Sequence, residues 1–163
     1  MSNSHEFVDE CEQGCFTHIQ LARQLGIPGE LLSFLVERDL IEPAFGHLRK
    51  TGEACYDMKT DNEQYYYPHD FSKVVTQKEV LALIRKYSKS SFRIESTLYD
   101  LITKGKFLVP VGTSYAQGEF NLYFNKDDVG ELFEDDTRRD SFLDELDIWE
   151  KMKSKFTVTE ERI

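Results

Sequence analysis

Only one stretch of this chain spaces cysteine and histidine as metal ligands are spaced. Cys11, Cys15 and His18 follow a C-x3-C-x2-H pattern, and His5 or Cys55 could complete a tetrahedral thiolate and imidazole set for zinc. The spacing is loose, and three cysteines in 163 residues more often serve as ordinary buried or free thiols. The expectation is therefore no metal and no cofactor. A second constellation carries different chemistry. Arg85, Lys86, Lys89 and Arg93 cluster, Lys104 and Lys106 follow, and Ser90, Ser91, Ser96 and Thr97 lie among them. Cations release the counterions of a phosphate backbone and short hydroxyls donate to phosphate oxygens, so this set suits contact with duplex DNA. Tyr115, farther along, is placed to reach a minor groove. An ordinary solvated loop is the competing reading of the same charges. No glycine-rich phosphate loop, nucleophile elbow or paired-carboxylate motif occurs, and the expectation is that the chain is not an enzyme.

The elements that must position these residues occur twice. Thr17, Leu21, Ala22 and Leu25 recur as Thr76, Val80, Leu81 and Ile84 at an offset of 59. Ile27, Leu31, Leu35, Leu40, Ile41 and Pro43 recur as Ile94, Leu98, Ile102, Phe107, Leu108 and Pro110 at an offset of 67, and Tyr65, Tyr66, Asp70 and Phe71 recur as Tyr123, Phe124, Asp128 and Val129 at an offset of 58. The changes in offset fall in loops, where insertions are tolerated. Each copy reads as two helices, an extended exit and a hairpin. In the first, Thr17 is placed to cap a helix that Gly26 ends in left-handed geometry, and Pro28 opens a second helix that buries Leu31, Leu32, Leu35 and Val36 and runs to Arg38 and Asp39. The stretch from Ala44 to Gln64 is long for a structureless loop and is expected to form a hairpin or to contact something. In the second copy Val109 to Asn121, with Gly112 and Gly118, has a hairpin signature.

Residues Gly26 to Pro43, GIPGELLSFLVERDLIEP, resemble without gaps the second helix of the mercury-resistance-regulator (MerR) family, G-V-S-x-R-T-L-R-Y-Y-E-x-x-G-L-L-x-P. Tyr65 to Phe71, YYYPHDF, resembles that family's wing exit, where two aromatics precede an Asp cap, and excisionase-like winged helices share the shape. The resemblance implies an α+β, mainly helical fold: two tandem winged helix-turn-helix modules with small β-hairpin wings and a C-terminal amphipathic helix. The expected division is an acidic tail at 1–14, a first module at 15–75, a second at 76–136, and a helix and tail at 137–163. In that final helix Phe142, Leu146, Trp149, Met152 and Phe156 make an apolar stripe, which either folds back on the second copy or pairs with its twin in a homodimer.

Where the family places DNA-facing arginines, this chain has Glu30 and Ser33, and the family's Tyr-Tyr-Glu has become Phe34, Leu35 and Val36. Charge is partitioned to match. Residues 1–75 have a net charge of −7, residues 76–118 of +4 and residues 119–163 of −7, for a whole-chain charge of −10. Two function classes result, of which the sequence favours the first. The first is a DNA-binding regulator, a transcriptional regulator or excisionase-like architectural factor, that meets duplex DNA through the second module. The second is an acidic protein-interaction module or DNA mimic that keeps the scaffold without the DNA face. The chain has no apolar run of membrane-spanning length and no apolar leader at its start, and the expected location is the cytoplasm.

Overall fold

Thr17 opens the first helix as its spacing predicts. The Thr17 hydroxyl accepts from the Gln20 amide and Gln20 Oε1 accepts from the Thr17 amide at 2.9 Å, so two backbone donors without helical partners are satisfied reciprocally. From this cap α1 (His18–Leu25) runs to Gly26, whose φ of 71° is the left-handed conformation that glycine adopts at least cost. Pro28, extended, then admits α2 (Gly29–Glu37), on which Leu31, Leu32 and Leu35 are fully buried and Val36 half-buried. The helix ends at Glu37, two residues short of the expected Asp39, because Asp39 reverses the chain at a φ of 61°.

The structure is a computed structural model that describes the backbone of residues 7–8, 15–42, 47–48, 56–57, 65–88 and 94–161, and the side chains of 16–42, 56, 65–88 and 94–152. Strand β1 (Phe7–Val8) pairs in parallel with β3 (His47–Leu48), and β2 (Cys15–Phe16) pairs antiparallel with β4 (Tyr56–Asp57). The short strands within the expected 44–64 hairpin thus pair with segments preceding α1. Leaving α2, Ile41 bridges antiparallel to Tyr65.

A second helix pair follows a 3-10 turn (Phe71–Lys73) and β5 (Val74–Thr76). Thr76 repeats the role of Thr17, its hydroxyl accepting from the Glu79 amide at 3.3 Å to cap α3 (Gln77–Tyr87). Helix α4 (Ile94–Thr103) comes next, then β6 (Pro110–Ala116) and β7 (Glu119–Asn125). Gln117 and Gly118 both have positive φ, 54° and 76°, the two-residue turn whose twist matches that of the strands it joins. The three-stranded antiparallel sheet has the order β5-β7-β6.

Helix α5 (Lys126–Glu134) is capped by Asn125, whose Oδ1 accepts from the amides of Asp127 at 2.9 Å and Asp128 at 3.2 Å. Asp128, the counterpart of Asp70 in the second copy, lies in the helix's first turn, where its charge complements the dipole. Asp135 Oδ1 accepts from the amides of Thr137 and Arg138 at the start of α6 (Asp136–Glu161).

The chain forms two compact units, residues 1–71 with 110–123, and residues 72–109 with 124–163. This division differs from the consecutive segments 15–75 and 76–136. The reason is visible inside the first unit, where the hairpin is tied to the end of α2. The hydroxyl of Thr113, fully buried, donates to Leu40 O and accepts from the Tyr66 amide at 3.1 Å, and the Thr113 amide donates to Tyr66 O at 2.9 Å. Inside the second unit α6 packs on α4 and α5. The protein is α+β and mainly helical, and among the described residues no helix is long and apolar enough to cross a membrane.

Candidate functional site

The outward faces of α2 and α4, the second helix of each pair, are short of cations. On α2 the leucines point inward and Glu30, Ser33 and Glu37 are exposed. The cation that follows, Arg38, stacks its guanidinium on the Phe34 ring at 4.4 Å. On α4 six of ten residues are buried, Ile94, Thr97, Leu98, Tyr99, Leu101 and Ile102, leaving Glu95 and Ser96 outermost. Neither helix contains a lysine or arginine.

His18 opens α1 and its ring reaches the start of α2. Its Nε2 is 2.9 Å from Gly29 O and 3.2 Å from Ser33 Oγ, and its Nδ1 is 3.3 Å from the Tyr56 hydroxyl. A carbonyl only accepts, so Nε2 donates to Gly29 O. His18 is one of the three residues of the zinc pattern. The imidazole is a clamp joining the two helix starts, and both nitrogens face protein partners; Cys11 and the side chain of Cys15 lie outside the described residues. Among the described residues no cluster of three or more His, Cys, Asp or Glu is placed to hold a metal.

The phosphate-binding candidates are dispersed. Arg85 and Lys86 are exposed in the last turn of α3, a position where the helix dipole favours cations, and Lys86 Nζ lies 5.5 Å from the Tyr87 ring. Lys104 Nζ sits 5.7 Å over Trp149, and Lys106 pairs with Glu145 at 3.6 Å, so α6 engages both lysines. Ser96 is exposed on α4. Lys89, Ser90, Ser91 and Arg93 lie outside the described residues. Two candidates are corrected. Thr97 is buried, in a crevice it lines with Ile84, Ser88 and Leu146. Tyr115, assigned to a groove, is only 4% exposed; it stacks on Tyr65 at 6.3 Å and its hydroxyl accepts from Gln24 at 2.9 Å. Packing inside the first unit has claimed it.

At two positions the C-terminal stripe packs within its own unit, as the fold-back alternative expects. Phe142 is fully buried against Phe107 and Phe133, at centroid distances of 5.4 and 5.8 Å, and Leu146 is buried. Trp149 is half-buried beneath Lys104, whereas Met152 is exposed, as is Ile148, which the stripe omitted. The side chain of Phe156 lies outside the described residues.

A polar chain, buried at Gln77 and Tyr99, joins α3 to α4. Gln77 Nε2 donates to the Tyr99 hydroxyl at 2.9 Å, and Tyr99 donates to Glu95 Oε1 at 3.0 Å. Burial, reinforced by the Glu95 charge, pushes the Tyr99 phenol well above its ordinary value near 10. The native state therefore keeps a proton that the unfolded chain releases above about pH 10, and the Tyr99 contribution to stability, complete below that pH, declines as pH rises through it. Tyr99→Phe is expected to cost about 1–2 kcal/mol at pH 7. In urea titrations from pH 7 to 11 its deficit against wild type should narrow above pH 10; a constant deficit would refute the linkage.

Two sets of residues escaped the sequence reading. One is the His18 clamp, because a lone histidine in a helix announces no partner. The other is an exposed aromatic group, Tyr66, Tyr67 and Phe71, at 51%, 43% and 51% exposure. The signal was present, since YYYPHDF holds more aromatics than one buried strand face can take. Comparison with protein-family models, curated proteins and solved structures finds no match to this chain.

Proposed function

We propose that this chain is an acidic protein-interaction module, built on two helix-turn-helix pairs of MerR-like or excisionase-like winged-helix character, that engages a basic protein surface through its first unit. The observation that carries this reading is the chemistry of α2 and α4, whose outward positions hold Glu30, Ser33, Glu37, Glu95 and Ser96 and no cation. Carboxylates facing phosphate are repelled, and without lysine or arginine there is little counterion release to drive DNA binding. The charge of the units supports the same reading. The first carries 5 Lys and Arg against 14 Asp and Glu, net −9, and the second 15 against 16, net −1. Nearly all the net negative charge thus belongs to one unit, where it steers a cationic partner.

Arg85 and Lys86, exposed at the end of α3, favour the other reading, duplex DNA bound through the basic residues that follow α1's counterpart α3 in the sequence. One experiment separates the two. Fluorescence anisotropy of random duplex DNA and of a labelled arginine-rich peptide is measured across a salt series. Duplex binding is expected to be weaker than roughly 10⁻⁴ M, the weak end of nonspecific DNA affinity. The peptide is expected to bind with steep salt dependence and to lose about tenfold on Glu30→Arg, Glu37→Arg. Salt-sensitive duplex binding abolished by Arg85→Glu, Lys86→Glu would overturn the proposal.

A further inference from the structure

Exposed aromatic rings are costly to leave in water, and here three of them stand on a backbone that cannot easily withdraw them. Tyr65 is buried, stacked on Tyr115, and Pro68 is buried two residues after Tyr66. Between them the Tyr66 amide donates to Leu40 O at 3.1 Å and to the Thr113 hydroxyl, while Tyr66 O accepts from Thr113. Strand β6 comes so close that a β-carbon on Gly112 would lie 2.9 Å from Tyr66 O. Downstream, Tyr67 and Phe71 meet edge to face, with centroids 5.2 Å apart at 75°, and both rest on the buried Tyr123 at 6.2 and 5.9 Å. With centroids this close the rings enclose no cage. They form a solid ledge whose outer surface faces water.

We propose that Tyr67 and Phe71, packed on Tyr123, form a preorganised ledge that receives arginine side chains from an extended basic segment of a partner protein. This rests on the reading of the chain as an acidic interaction module and assigns its subsite. Two independent features point to that occupant. The patch is aromatic rather than aliphatic, so it attracts cations through the ring quadrupole in addition to excluding water, and a guanidinium both stacks and carries charge. The ledge also belongs to the unit of net charge −9, with the exposed Asp70 in the same turn. The fixed backbone removes much of the ordering cost that a mobile binding loop carries.

The full chain, a fluorescein-labelled arginine-rich peptide and a lysine peptide of equal charge test this at low and high salt. Coulomb attraction is screened at high salt and stacking is not. Wild type is expected to prefer the arginine peptide and to retain measurable affinity for it at 0.5 M salt, and Tyr67→Leu, Phe71→Leu should weaken that binding about five- to thirtyfold. The single change Phe71→Leu, at an exposed ring of the ledge, should weaken it about threefold and decides the matter if the double variant does not fold. Unchanged arginine-peptide affinity in the folded variants, with loss on Glu30→Arg, Glu37→Arg, would overturn the ledge while the interaction module stands. Failure of wild type to bind either peptide at low salt would overturn both.

Discussion

Phe142→Ala is expected to destabilise the protein by about 3–5 kcal/mol, the usual cost of emptying a phenylalanine site that cannot collapse. The ring is fully buried between Phe107, from the turn after α4, and Phe133, from α5, so its removal leaves a void bordered by two other aromatic rings. Phe107 cannot readily shift to fill it, because its backbone is held at a φ of 65° and Leu108 bonds back to Lys106 O. Phe133 is constrained in turn by stacking on Tyr87, whose ring also carries the Arg139 guanidinium at 4.6 Å. The site joins α4, α5 and α6, and a change this large on a stability of 5–15 kcal/mol is a substantial fraction of the whole. Urea denaturation followed by circular dichroism measures it, with Met152→Ala, an exposed position on the same helix, expected within about 0.5 kcal/mol of wild type. A Phe142→Ala cost below 1 kcal/mol would mean that α6 is not anchored where the structure places it.

What the sequence made legible was local. Thr17, Gly26 and Thr76 act where they were expected because a helix cap is decided by its own residue and the next three or four amides. The Phe142 and Leu146 positions of the C-terminal stripe were equally plain, since helical periodicity requires only one helix to be read. Long-range choices were not legible. Tyr115 on a strand looks the same whether it faces a nucleic-acid groove or Tyr65 and Gln24, which lie 50 and 91 residues earlier in the chain. Lys104 and Lys106 counted as members of a basic island until Trp149 and Glu145 came beside them. The absence of cations from α2 and α4 was readable in the sequence, but its weight depends on knowing which residues face outward. Glu95 and Ser96 gained significance only when the other side of α4 proved to be filled.

Gly112→Ala is expected to destabilise by about 1–3 kcal/mol, although alanine is the better strand residue and φ at this position is not positive. In the sequence Gly112 reads as a hairpin glycine. The turn itself is Gln117 and Gly118, and Gly112 lies within β6 where the backbone of Tyr66 crosses it. An added β-carbon would stand 2.9 Å from Tyr66 O and 3.0 Å from Pro68 Cγ. Neither neighbour gives way easily, because Tyr66 O accepts from Thr113 at 2.9 Å, its amide is held by Leu40, and Pro68 is a rigid, buried ring. The strain must therefore pass into the segment that carries Tyr66 and Tyr67. Gly130, inside α5 with open space around its missing β-carbon, is the contrasting site: Gly130→Ala should stabilise by about 0.5–1 kcal/mol by reducing the freedom of the unfolded chain. Opposite signs in paired urea titrations would identify Gly112 as a close-approach glycine. Two stabilising substitutions would refute that contact and with it the rigidity assigned to the aromatic ledge.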